Sequence, residues 1–370
     1  MSLILKRALF VSGVAGMLAA GGAAKAISPG EQSLKNRTIA YVMSDSQWAV
    51  YQTPGGKDEC PNGLSKWGPR ERFKEMFPDR TPGKYLLKDT QIALEASIWN
   101  PDTSPDKFEY IVAGGTNSYG ANLDGKIGPN DFTSPEGEKG IDNQLFRVIG
   151  CDDNMRGPNG TIYGVGGNYV RNVTFNRMVV ELSNVDSLAN DPDVDVKVTK
   201  GVDKLMTDAG GDKMLPGGTQ RIDTRWAKKF TQTLKGKVVN GVLITNPTPV
   251  LKIIDTRNRT PIEDLFRDGV LVLKVSADYA EGIAAGYVDI KRFYFNFNKE
   301  FNTFVQAYGR TDSHGMYKKM MELADAYPDK DGKNTAISGA ILMKFAQTFV
   351  EYPAKQVASK GGAASDAGAR

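Results

Sequence analysis

Strict alternation of apolar and polar side chains is what most constrains this chain. In DVDVKVTKG, Val194, Val196 and Val198 share one face while Asp195, Lys197 and Thr199 share the other, as in a strand with one side in a core and one in water. The texture recurs in RMVVELSNV just before it, and in residues 237–245, 250–254, 269–276 and 284–297 after it. The segments between are too short to be repeated crossover helices, so neighbouring strands are expected to run antiparallel. The expected class is mainly β with peripheral helices, an antiparallel β-sandwich or jelly roll. Its 40 glycines and 18 prolines fit a fold with many tight connections.

Residues 1–26 have a different character. Lys6 and Arg7 precede an apolar run over 8–20, and Ala24-Lys25-Ala26 has the small-x-small form of a signal peptidase site. An export signal cleaved after Ala26 is expected, with an uncleaved membrane anchor as the alternative. Loss of Lys6, Arg7 and Lys25 brings 47 Lys+Arg and 43 Asp+Glu close to balance, which argues against an electrostatic nucleic-acid binder. No later run suits a bilayer-spanning helix. The expected product is periplasmic or secreted. It comprises one β-rich domain over 27–352, loop- and helix-rich over 27–160 and strand-rich over 161–352, and a disordered tail over 353–370. In that oxidising setting the 2 cysteines, Cys60 and Cys151, are expected to pair. A redox-active thiol pair is the alternative, although no Cys-x-x-Cys occurs.

The stretch that organises the rest is 118–151, SYGANLDGKIGPNDFTSPEGEKGIDNQLFRVIGC. Asn122, Asp124 and Asp131 are oxygen donors around Gly125 in the rhythm of a calcium loop, with Ile127 as the inward apolar residue. The first donor of that pattern is missing, because Gly120 stands where Asp is required. The competing reading is a plain turn at Asp124-Gly125. Downstream, Ile141, Leu145 and Val148 share a helical face. The block is similar to a set of secreted bacterial proteins that share LDG, then GIDNQL, then GC. The likeness extends into NDPDVDV and KDGKNTAISGA. It implies one architectural unit and carries no activity with it.

Elsewhere, IAYVM and WAVYQ flank Ser-Asp-Ser as in a hairpin, and residues 69–77 and 90–99 are short helical candidates. Trp67 and Trp99 are expected as core plugs, with a sugar-stacking surface as the alternative. Phe293, Phe295 and Phe297 are expected on the core face of a strand. Residues 302–327 read as a helix with an apolar stripe through Met316, Tyr317, Met320, Met321, Leu323, Ala324 and Tyr327. Residues 328–334 form an oxygen-rich loop, and 335–350 suit strand or helix equally.

No sequence motif assigns an activity: Walker, G-x-S-x-G, H-E-x-x-H and haem-binding patterns are all absent. The single histidine, His314, lies in Asp312-Ser313-His314, where neighbours in sequence do not point at one another. A carboxylate pair for glycoside cleavage would come first from Asp124, Asp131 and Asp142, which cluster in the organising block. The leading expectation is a non-catalytic exported binding protein for a saccharide, small ligand or protein partner. It has no cofactor beyond a structural calcium. A carboxylate-dependent polysaccharide hydrolase and an accessory subunit of an exported enzyme complex are the alternatives.

Overall fold

The computed structural model describes residues 28–53, 57–65, 109–156, 177–211, 213–225, 227–255, 262–300 and 311–353, with short pieces between 74 and 102. The strands are β1 (Thr38–Trp48), β2 (Phe132–Thr133), β3 (Lys139–Ile141), β4 (Arg177–Ser183), β5 (Asp191–Gly201), β6 (Gly218–Arg221), β7 (Gln232–Val239), β8 (Val242–Thr245), β9 (Thr248–Asp255), β10 (Ile262–Val275), β11 (Tyr279–Asp289), β12 (Ala326–Pro328) and β13 (Asn334–Glu351). The helices are α1 (Pro29–Leu34), α2 (Gln144–Ile149), α3 (Ala227–Phe230), α4 (Ile290–Glu300) and α5 (Ser313–Glu322).

The fold is mainly β and its main sheet antiparallel, as the alternation implies. The sheet closes on itself and is not clearly a sandwich or jelly roll. It runs β1-β4-β5-β7-β8-β10-β11-β13, and β13 then pairs back onto β1, from Trp48↔Ile341 to Ala40↔Thr348, closing a barrel. Antiparallel β12 and parallel β6 pair with β13, and antiparallel β9 pairs with β10. A barrel of about eight strands is just wide enough to be filled by side chains. Tyr41, Met43, Val180, Val196, Leu271 and Phe345 are among those that fill it, all in one core. Val194, Val196 and Val198 take the inward positions their alternation gives them.

Helices close one mouth. Leu145 of α2 sits on β13, where a Cβ at Gly339 would lie 3.1 Å from its Cδ2. Trp48 bridges the wall and the helical layer, with ring centroids 6.3 Å from Phe266 and 5.2 Å from Phe293. β9 reaches across toward β4 and adds Leu251 and Ile253 to the same core. The other mouth receives α1, whose Gly30 lies so close to Ala277 that any side chain would collide with the Ala277 carbonyl. A capping box between Ser28 and Glu31 starts this helix.

Several local expectations are corrected. Residues 38–48 form one strand with a bulge between Met43 and Asp45, not a hairpin, because β4 and β13 pair with the two sides of a continuous β1. Residues 335–350 are strand. The segment containing Phe293, Phe295 and Phe297 is helix α4, so Phe293 and Phe297 stack at 6.1 Å while Phe295 faces outward at 51% exposure. Trp99 is 45% exposed against Phe295 and is not a core plug. In the methionine stripe, Met316, Tyr317 and Met320 are buried in α5, but Tyr327 has left the helix for β12. The signal segment 1–26, Trp67, most of both helical candidates over 69–77 and 90–99, and the tail beyond 353 lie outside the described residues.

Cys60 and Cys151 form a disulfide across 91 residues, joining the loop after β1 to the end of the organising block. Replacing both by alanine is expected to lower unfolding free energy by about 2–5 kcal/mol, read as a lower denaturant midpoint. An unchanged midpoint would show that packing alone holds this junction. Phe293→Ala should cost about 3–5 kcal/mol and Phe295→Ala less than about 1 kcal/mol in the same assay. Equal losses would contradict helical packing of α4.

Candidate functional site

Residues 116–142 form a strip on the outer wall of the barrel, tied to itself by the Asn117↔Thr133 and Ala121↔Asp142 bridges and the small β2–β3 ladder. Tyr119, Ala121 and Leu123 cover Ile283, Ala285 and Ala340 of β11 and β13. Two glycines allow the strip to fold this tightly. At Gly120 a Cβ would stand 2.7 Å from Ile141 Cγ2. At Gly140, with φ +80°, it would stand 2.4 Å from the Lys126 carbonyl oxygen. Gly120, the position where a calcium loop requires Asp, therefore has no room for a side chain.

The three ion-ligand candidates are turned onto their own backbone. Asn122 Oδ1 accepts from Gly125 N–H at 2.7 Å and its Nδ2 donates to the Lys126 carbonyl at 2.9 Å. Asp124 Oδ1 accepts from Lys126 N–H at 2.8 Å, and Asp131 Oδ2 accepts from Gly128 N–H. Asp124 Oδ2 lies 4.0 Å from Lys126 Nζ. These are side-chain-capped turns, in which each candidate oxygen accepts one backbone N–H. Among the described residues no group of three or more His, Cys, Asp or Glu is placed to hold a metal ion. The oxygen-rich loop at 328–334 is likewise a turn, in which Asp329 Oδ1 accepts from the Asp331 and Lys333 N–H groups.

Each polar residue of GIDNQL has a separate task. Asp142, 8% exposed, accepts from the Leu123 N–H at 2.7 Å and the Asp124 N–H at 3.4 Å, gripping the strip. Asn143 caps α2 by accepting from Phe146 N–H, and its Nδ2 donates to the Tyr119 carbonyl at 2.7 Å and to Ser118 Oγ at 3.1 Å. Gln144 N–H donates to Ser338 Oγ at 2.9 Å. Ser338 in turn donates to Asp325, whose carboxylate also accepts from the Ser338 N–H.

This geometry assembles a tyrosine–carboxylate patch. Tyr287, half-buried on the outer face of β11, is the hub. Burial first, then the charges of Asp142, Asp325, Asp124 and Asp268, push its hydroxyl above the ordinary tyrosine range. Its ring meets Tyr327 edge-on at 6.0 Å, and Tyr327 donates to Asp268 Oδ2 at 2.6 Å. Arg267 lies 4.7 Å over the Tyr327 ring and 3.1 Å from Asp289. Burial raises Asp142 to about 6, helped by the Asp124 and Asp131 charges and opposed by its two N–H bonds. Asp325, an exposed residue, is raised as well, by desolvation of its carboxyl and the Asp124 charge, against the two Ser338 bonds that lower it. Of the three carboxylates singled out from sequence, the structure puts Asp124 and Asp131 within electrostatic reach of Asp142. Tyr287, Asp325 and Asp268 carried no sequence signal of their own, Tyr327 was marked only as the end of a helical apolar stripe, and Ser338 only by its place in KDGKNTAISGA.

No family model, curated protein or solved structure matches this chain. Function therefore has to be argued from the sites themselves.

A second polar cluster lies enclosed beside the disulfide. Asp152, 0% exposed, accepts from the Asn154 N–H at 2.9 Å and from Thr311 Oγ1 at 3.0 Å, with the Tyr110 hydroxyl at 3.5 Å. Glu59 and Arg156 form a buried ion pair at 2.9 Å next to it. His314 is not in a polar loop but buried in the first turn of α5, where Asp312 caps its N–H. Ser313 Oγ makes no hydrogen bond among the described residues. Burial raises Asp152 to about 7, opposed by its hydrogen bonds. A carboxyl raised on folding holds its proton more tightly in the native state, so its contribution to stability falls as pH rises from about 4 to about 7. Asp152→Asn should stabilise the protein by on the order of 1–3 kcal/mol near pH 8 and flatten this slope. Thermal melts of both forms across that range would refute the assignment if their slopes were the same.

Proposed function

We propose that the chain is an exported binding protein and that the patch around Tyr287 is its ligand site, with a saccharide as the ligand class. The observation that carries this reading is the half-buried Tyr287 ring set edge-on at 6.0 Å to Tyr327, whose hydroxyl donates to Asp268, with Asp142, Asp325 and Asp124 within electrostatic reach. Aromatic rings offer a flat apolar face to a sugar ring, while carboxylates accept hydrogen bonds from its hydroxyls. The packed interior supports an outer-wall site, since side chains occupy the lumen where many barrels hold their ligands. Export rests on the pattern of residues 1–26, and the disulfide accords with an oxidising compartment.

One observation favours a hydrolase as the second reading. Asp142 is raised to about 6 beside Asp124, and glycosidases use one protonated and one ionised carboxyl. Calorimetric titration of the intact protein with a panel of soluble oligosaccharides separates the two, combined with an assay for new reducing ends. Binding without cleavage is expected, and Tyr287→Ala should weaken it at least about tenfold, or about 1.4 kcal/mol, while leaving the melting temperature close to that of the parent. Cleavage abolished by Asp142→Asn would establish the hydrolase instead. Binding that is indifferent to Tyr287→Ala would remove the patch as the site.

A further inference from the structure

Positive charge gathers near the end of β5, beside α3 and β9. Asp223 donates its N–H to the Lys200 carbonyl at 2.8 Å, which fastens the loop after β6 to β5 and brings Arg225 next to the Lys200 side chain. Lys252 of β9 is held in place by the Gln232 amide, which bonds both its N–H and its carbonyl at 2.8 Å, and Lys252 Nζ donates to the Lys229 carbonyl at 2.7 Å. Among the described residues Asp223 is the carboxylate that pairs with both Lys200 and Arg225. Arg225 takes both of its oxygens, through Nε at 2.9 Å and Nη2 at 3.0 Å. Lys200 is 3% exposed, and its Nζ lies 3.7 Å from Asp223 Oδ2, beyond hydrogen-bond distance, and 4.7 Å from the centre of the Phe230 ring.

We propose that this cluster binds a phosphate group, free or esterified: the exposed Arg225 guanidinium receives it and the buried Lys200 ammonium holds it. The site shares no residue with the Tyr287 patch and rests on no reading of it.

A buried ammonium loses much of its hydration, and leaving its N–H donors without acceptors is costly. Asp223 does not meet that need, because both of its oxygens are turned to Arg225. Arg225, whose side chain is mostly exposed, keeps further N–H donors in the planar fork that fits phosphate oxygens. Lys200, Arg225 and Lys252 against Asp223 leave two positive charges in excess, in a chain whose 47 basic and 43 acidic side chains nearly balance. A phosphate group carries close to that charge with the opposite sign at neutral pH. A carboxylate would bring half of it, with fewer acceptor oxygens.

Thermal melts of the full chain test this, in rising inorganic phosphate or hexose phosphate against chloride at matched ionic strength. Phosphate is expected to raise the melting temperature along a one-site saturation curve, which chloride does not. Arg225→Gln should raise the dissociation constant at least about tenfold, and Lys200→Met should abolish the effect. Lys139→Gln, an exposed lysine of β3, should leave it unchanged. Should the first two variants fail to fold, Lys252→Gln removes a charge whose ammonium meets a backbone carbonyl, and should still weaken binding. Tighter binding of the hexose phosphate assigns the site to an ester and equal binding to the phosphate group itself, and either supports the proposal. A melting temperature that follows phosphate no more than chloride overturns it, as does a loss as large in Lys139→Gln as in the site variants. Failure here leaves the saccharide reading standing, and a failed oligosaccharide titration leaves the phosphate site standing.

Discussion

The pairing of β13 with β1 is the constraint on which the rest of the structure depends. It joins a strand near the start of the described chain to the last one, and turns a twisted antiparallel sheet into a closed wall. β13 can serve this way because it is 18 residues long, pairing with β11 along most of its length and with β1 along its second half. Its first half carries small residues, Ala336, Ser338, Gly339 and Ala340, where the organising block and α2 must approach closely. A bulkier face there would hold Leu145 away from the mouth.

Closure also decides where chemistry can occur. Apolar side chains fill the interior, so polar groups able to meet a ligand collect on the outer wall and in the strip laid over it. Asp142 is the joint between the two. It satisfies backbone N–H groups that burial would otherwise leave unpaired, and it remains close to Asp124 and Asp131. Hydrogen bonds lower its proton affinity, while burial and like charge raise it further than they lower it. The same balance holds at Asp152 beside the disulfide, where burial outweighs the hydrogen bonds the carboxylate accepts.

The calcium-like spacing at 122–131 shows why a donor pattern by itself is ambiguous. Asn and Asp oxygens that could surround an ion are equally suited to cap the N–H groups of tight turns, and both uses favour Gly at the sharp bend. Here the turns take the oxygens. The vacant first position at Gly120 has a packing reason, the approach of Ile141, that no inspection of spacing would reveal.

Sequence alone determined what depends on neighbours along the chain. The alternation of β5 marked its buried face, the two cysteines marked their own bond, and Leu145 and Val148 marked the buried face of α2, because period and composition act locally. Phe293, Phe295 and Phe297 show the limit: positions four apart share a face in helix and strand alike, so only the exposure of Phe295 separates the two. Tertiary structure alone decided that the sheet closes into a barrel, since closure is a contact between residues some three hundred positions apart. It also brought Tyr287, Asp268, Asp325 and Asp142 together from three separate stretches of chain. Each of these residues reads as ordinary in its own segment, and their shared electrostatics exists only once the strip lies on the wall.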